Sequence, residues 1–152
     1  MLGYQNHGTR GHDDIAQDLR RVGLFSKCST RDLAAVAKAV EVESCEPGTR
    51  IVTQGQAGDA FYVIIDGSAS VLRNGQHVGE LGTGDYFGEL ALLDPAPRNA
   101  DVVAETPITV LRLRFESFRS VVRSIPAINE RLLSGLARRV RDGDGRQVAW
   151  TR

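Results

Sequence analysis

The residues best suited to chemistry in this 152-residue chain lie in one stretch, residues 84–104, reading GDYFGELALLDPAPRNADVVA. Gly88 has no Cβ, so the chain can turn sharply there and a ligand can come close to the backbone. A short helix starting at Gly88 would leave the N–H groups of Glu89, Leu90 and Ala91 facing outward as an anion site. Leu90, Leu92 and Leu93 can pin that helix to a core, and Pro95 and Pro97 stop it before Arg98. The Arg98 guanidinium offers several donors in a fixed plane, which suits the two exocyclic oxygens of a phosphodiester. Glu89 only accepts hydrogen bonds when ionised, so beside a bound anion it needs a donor, and a ribose hydroxyl is one. The pair reads as a clamp with a positive end for phosphate and a carboxylate end for a sugar, and a cyclic nucleotide carries both groups. On spacing alone, an ion pair between Glu89 and Arg98 across a loop fits equally well.

The elements that must position this segment follow from periodicity. Ile15, Leu19 and Val22 recur at helical intervals, with Phe25 behind them as an anchor into the body. Ser29 or Thr30 can cap a second helix whose stripe is Leu33, Val36, Ala37 and Val40. Val40 and Val42 then alternate with Glu41 and Glu43, Pro47-Gly48 makes a turn, and glycines recur at intervals that suit short strands rather than helices. The clearest strands are Phe61 to Ile65, Ala69 to Arg73 and His77 to Leu81, with Asn74-Gly75 as a type I′ hairpin turn. Two more, Ala100 to Ala104 and Thr109 to Leu113, flank a turn at Thr106-Pro107. Helical spacing returns at Phe115, where Phe118, Val121 and Val122 give an apolar face. Pro126 can open a last helix bearing Ile128, Leu132, Leu133, Leu136 and Val140. The expected fold is mainly β with flanking α: a double-stranded β-helix, or jelly-roll-like β-roll, of about eight strands with N-terminal helices, a short cassette helix and C-terminal closing helices. The expected division is a mobile tail over 1–11, one domain over 12–142 and a C-terminal tail over 143–152.

Bulk properties narrow the partners. Nineteen basic and nineteen acidic side chains cancel, so no overall field draws the chain to DNA or an anionic membrane. Residues 111–152 nevertheless carry ten arginines against Glu116, Glu130, Asp142 and Asp144, a basic surface that is either a solvated helix face or a docking site for an acidic protein partner. Cys28 and Cys45 form no disulfide framework, and with no apolar leader or span the expected location is cytoplasmic. His7, His12 and His77 share no ligand spacing with cysteines or carboxylates, so no metal site is expected and a metal-dependent cupin enzyme is disfavoured. No catalytic triad or activated cysteine can be assembled.

The segment resembles the phosphate-binding cassette of the cyclic-nucleotide-binding domain family, found in kinase regulatory subunits, bacterial catabolite activators and gated channels. The family pattern FGE(L/I)AL, a variable loop and then PRxA stands here as Phe87-Gly88-Glu89-Leu90-Ala91-Leu92 and Pro97-Arg98-Asn99-Ala100. The resemblance spans about residues 13–141 and includes Ile65-Asp66-Gly67 and the Pro47-Gly48 turn. It implies that Glu89 bonds the ribose 2′-hydroxyl, that Arg98 pairs the cyclic phosphate, and that backbone amides around Gly88, Leu90, Ala91, Asn99 and Ala100 complete the cradle. No cofactor is expected, and with no general base beside the phosphate site no catalysis is expected. Asn99 stands where cGMP-selective members often place threonine and cAMP-selective members alanine, and Asp101 replaces a small or β-branched residue. The absent hydroxyl favours cAMP, with cGMP as the alternative.

Leu136, Arg138, Arg139 and Trp150 are candidates to cover the base as a lid, against the plainer alternative for Trp150 of a frayed tail. Only eleven residues follow Arg141, too few for a helix-turn-helix, so sequence-specific DNA binding is not expected of this chain. The leading expectation is a stand-alone cAMP sensor whose C-terminal helices move on binding. Its rivals are a constitutive protein-interaction scaffold that has lost its ligand and, more weakly, a nucleotide-processing enzyme.

Overall fold

A computed structural model describes residues 11–89 and 97–131. Within them the chain runs through helices α1 (His12–Arg20) and α2 (Thr30–Lys38), eight strands and helix α3 (Phe115–Arg123). The strands are β1 (Val40–Cys45), β2 (Arg50–Val52), β3 (Ala60–Asp66), β4 (Ser68–Arg73), β5 (Gln76–Gly82), β6 (Tyr86–Phe87), β7 (Asp101–Ala104) and β8 (Ile108–Arg114). They form two four-stranded antiparallel sheets, ordered β1-β8-β3-β6 and β2-β7-β4-β5. This is the mainly β roll with flanking helices that the glycine rhythm predicts.

Local sequence accounts for the boundaries. Ser29 accepts a hydrogen bond from the Asp32 amide at 3.0 Å, and Asp32 reaches back to the Ser29 N–H, a capping box that starts α2. The Asn74-Gly75 turn has φ of 53° and 78°, as a type I′ hairpin requires. The Thr106-Pro107 turn joins β7 to β8, and residues 126–131 are helical from the expected proline.

Two apolar layers explain why β3 does not alternate. Phe61 and Val63 face a layer shared with Leu19, Phe25, Leu33, Phe118 and Ile128, whereas Tyr62 and Ile64 face a second layer between the sheets with Val71, Phe87 and Val102. A strand buried on both faces reads as one apolar run, while β4, buried on one face, alternates. Phe61 meets Phe118 edge to face at 4.6 Å, and Tyr62 stacks on Phe87 at 5.1 Å. The tail over residues 1–10, the cassette helix after Glu89, the side chains of Val121 and Val122, and Leu132, Leu133, Leu136 and Val140 lie outside the described residues.

Candidate functional site

Arg98 sits where the loop between β2 and β3 is bonded to the segment entering β7. The Gly55 N–H donates to the Arg98 carbonyl at 2.7 Å and the Arg98 N–H to the Gln56 carbonyl at 2.8 Å, so the backbone is held from both directions. The guanidinium is threaded inward between two glycines. Nη2 donates to the Ala60 carbonyl at 2.5 Å and Nη1 to the Gly88 carbonyl at 3.4 Å. Both glycines are necessary for space: a Cβ on Gly88 would lie 2.6 Å from Nη1, and one on Gly58 would lie 2.5 Å from Nη2 and nearer still to Cζ and Nε. Gly88 has a second reason to be glycine, a φ of 88° in the left-handed region.

Arg98 is 4% exposed and Glu89 2% exposed, an unusual depth for either residue type. Burial lowers the pKa of the Arg98 guanidinium, and Tyr62 and Asp59 oppose that shift more than Glu89 does. Nearby, Arg112 holds Glu41 at 3.0 Å and Asp59 at 3.1 Å, with Glu43 at 3.9 Å. Burial raises the Tyr62 phenol, partly offset by its hydrogen bond with Arg112. Glu41, Glu43 and Asp59 thus gather on Arg112, while the Arg98 guanidinium donates to the Ala60 and Gly88 carbonyls. Such a cation is disposed to take up an anion that replaces those carbonyls, because electrostatic attraction is strong where water is excluded.

Of the residues expected in the site, the fold brings Gly88-Glu89 and Arg98-Asn99-Ala100 together through the bond from Arg98 to the Gly88 carbonyl. Ala100 is buried in the layer between the sheets, and the Asn99 carbonyl accepts from Arg73 Nε at 3.2 Å. Leu90, Ala91 and the lid candidates Leu136, Arg138, Arg139 and Trp150 lie outside the described residues. Sequence reasoning missed Gly58, Tyr62, Arg73 and Arg112. The glycine spacing in Gly55-Gln56-Ala57-Gly58 could have pointed to a close approach at Gly58, but the other three are chosen by strand register, which no local motif encodes. Elsewhere, the fold gathers His77, Glu80 and Glu105, whose ligand-type atoms lie within 4.8 Å of one another on the exposed surface, a grouping that the spacing of histidines along the chain did not suggest.

Comparison with known proteins bears on the family and the fold. Residues 42–124 match the family model described as a cyclic nucleotide-binding domain. The chain is 39% identical over 106 residues to the cAMP-dependent protein kinase regulatory subunit of Yarrowia lipolytica, covering 68% of this chain and 28% of that protein. The chain thus spans about a quarter of the length of that relative. The regulatory domain of Toxoplasma gondii PKA, solved with cAMP, superposes with a TM-score of 0.72 at 32% identity, covering 83% of this chain and 49% of that one. The regulatory subunit of a cAMP-independent protein kinase A from Trypanosoma brucei superposes with a TM-score of 0.71 at 28% identity, covering 80% and 46%. Among the described residues, no helix is long and apolar enough to cross a membrane. Family match, β-roll and cassette residues agree, and the chain belongs to the cyclic nucleotide-binding domain family, a family of non-catalytic regulatory binding domains.

Proposed function

We propose that the chain is a cAMP sensor in the cytoplasm. Arg98 pairs the cyclic phosphate, Glu89 accepts from the ribose 2′-hydroxyl, and the amides of the cassette, including Leu90, Ala91, Asn99 and Ala100, fill the remaining phosphate positions. The observation that carries this reading is the Arg98 guanidinium, buried between Gly58 and Gly88, bonded to the Ala60 and Gly88 carbonyls and influenced by the charge of the buried Glu89. The comparison proteins include both a regulatory domain solved with cAMP and the regulatory subunit of a cAMP-independent protein kinase A, so fold alone does not choose the ligand and the residues must. Preference for cAMP over cGMP rests on Asn99, which lacks a threonine hydroxyl.

The output of the sensor is a shift of the C-terminal helices, which would present the basic surface to a protein partner. Ile125 and Ile128 pack in the same apolar layer as α1 and α2, and Arg131 donates to Ser26 at 3.2 Å. Ligand can move these helices only to the extent that it binds the two arrangements with different affinity. The test is Arg98→Ala in a calorimetric titration with cAMP. Loss of about 2–5 kcal/mol of binding free energy is expected for a buried charge left without its partner. Affinity within error of wild type would remove Arg98 from the site and favour a ligand-independent scaffold.

A further inference from the structure

A second arginine stands beside the Arg98 segment. Strand β4 pairs with β7 so that Ala69 lies opposite Ala104, Val71 opposite Val102 and Leu72 opposite Asp101. Ala69, Val71, Val102 and Ala104 all face the layer between the sheets. Extended one residue, that register would set Arg73 beside Ala100, and strand alternation puts it on the face of Val71 rather than that of Leu72. From there Arg73 Nε donates to the carbonyl of Asn99, the residue that follows Arg98.

Two polar atoms at this junction are buried without a hydrogen-bond partner: Arg73 Nη2 and Asn99 Oδ1. Buried donors and acceptors are almost always satisfied, so a donor on a cation and an acceptor beside it, both orphaned next to the phosphate arginine, point to a missing ligand atom. The asparagine amide can present either its oxygen or its nitrogen, so it does not oblige one kind of ligand group. The surrounding frame is fixed. Gln54 bonds the Asn74 side chain and amide, each at 2.8 Å, and its own N–H donates to Asp101 at 2.7 Å. The hairpin end that carries Arg73 is thereby tied to the loop that brackets Arg98 through Gly55 and Gln56.

We propose that Arg73 is a second cationic contact for the bound nucleotide, donating from Nη2 to an acceptor atom of the ligand while its Nε holds the Asn99 carbonyl. The acceptor is a phosphate oxygen or N7 of the purine. This rests on the reading that the chain binds a cyclic nucleotide, and it adds a contact from β4 that lies outside the cassette.

The test measures binding of cAMP, of its 7-deaza analogue and of its two phosphorothioate diastereomers to wild type and to Arg73→Gln, with thermal melts of the nucleotide-free proteins. Arg73→Gln is expected to weaken cAMP by about tenfold to a hundredfold, the loss of one hydrogen bond from a charged donor. The loss should shrink for the 7-deaza compound if Nη2 reaches the purine, or for one phosphorothioate if it reaches the phosphate. Should Arg73→Gln fail to fold, Arg73→Lys, which keeps the charge but not the fork, is expected to show the same analogue-dependent loss. Unchanged cAMP affinity, or an equal loss for every ligand, would overturn the contact while leaving the cAMP reading intact. Failure of the folded, nucleotide-free wild type to bind any of the ligands would overturn both.

Discussion

Replacing Gly58 by alanine puts a methyl group where the Arg98 guanidinium lies, without touching the cassette itself. The added Cβ would stand 2.5 Å from Nη2 and closer to Cζ and Nε, and real Cβ atoms essentially never come within 3.0 Å of a neighbour. The obstructed group is the end of a flexible side chain, so the backbone need not move and Arg98 is the part that yields. Once displaced, it leaves the Ala60 and Gly88 carbonyls and no longer faces the phosphate position. If the Arg98–phosphate pair contributes about 2–5 kcal/mol, its full loss lowers affinity by roughly thirty- to several thousandfold. The effect on folding should be much smaller, about 1–2 kcal/mol, because the lost hydrogen bonds are offset by relief of a buried cation. The assay is titration of nucleotide-free Gly58→Ala with cAMP, paired with a melting curve. A folded variant that binds within about threefold of wild type, a difference of well under 1 kcal/mol, would refute the placement of Arg98 as the phosphate ligand.

Further outcomes follow from the same geometry. Glu89→Gln should weaken cAMP less than Arg98→Ala, because the amide oxygen still accepts one hydrogen bond; a larger loss in the same titration would reverse the ranking of charge over hydroxyl recognition. Glu43 and Glu41 should respond oppositely to pH. Burial raises the Glu43 carboxyl despite Arg112 at 3.9 Å, a cation it shares with Glu41 and Asp59. Its contribution to stability is therefore present below its unfolded pKa and lost as pH rises through the folded one, so Glu43→Gln should raise the melting temperature near pH 7 and change it little near pH 4. The hydrogen bond from Arg114 lowers Glu41, whose contribution is present above its unfolded pKa and lost as pH falls through the folded one. Glu41→Gln should thus cost a little stability near pH 7 and almost none near pH 3, and melts across that range that show no opposite trend would contradict the assignment.

The elements most legible in the sequence were those with a local cause. The Ser29 cap, the Asn74-Gly75 hairpin, the Thr106-Pro107 turn and the apolar run of β3 each follow from backbone preferences or from a double-faced burial pattern. The cassette was legible because its chemistry is compressed into one segment, with Gly88, Glu89 and Arg98 within eleven residues. What escaped was the wall around Arg98. Gly58 and Ala60 come from the loop and strand forty residues upstream, and Arg73 and Arg112 reach the site through strand register on two different sheets. Register depends on how sheets close on each other, so a charged residue at the end of a strand reads as surface until its neighbours across the sheet are known.

The central claim, that this roll holds cAMP through Arg98 and Glu89, is tested most directly by calorimetric titration of the purified chain, shown to be free of co-purified nucleotide, with cAMP and then cGMP. The account predicts saturable one-to-one binding, tighter for cAMP. A folded, nucleotide-free protein that gives no heat and no competition with either ligand would contradict it.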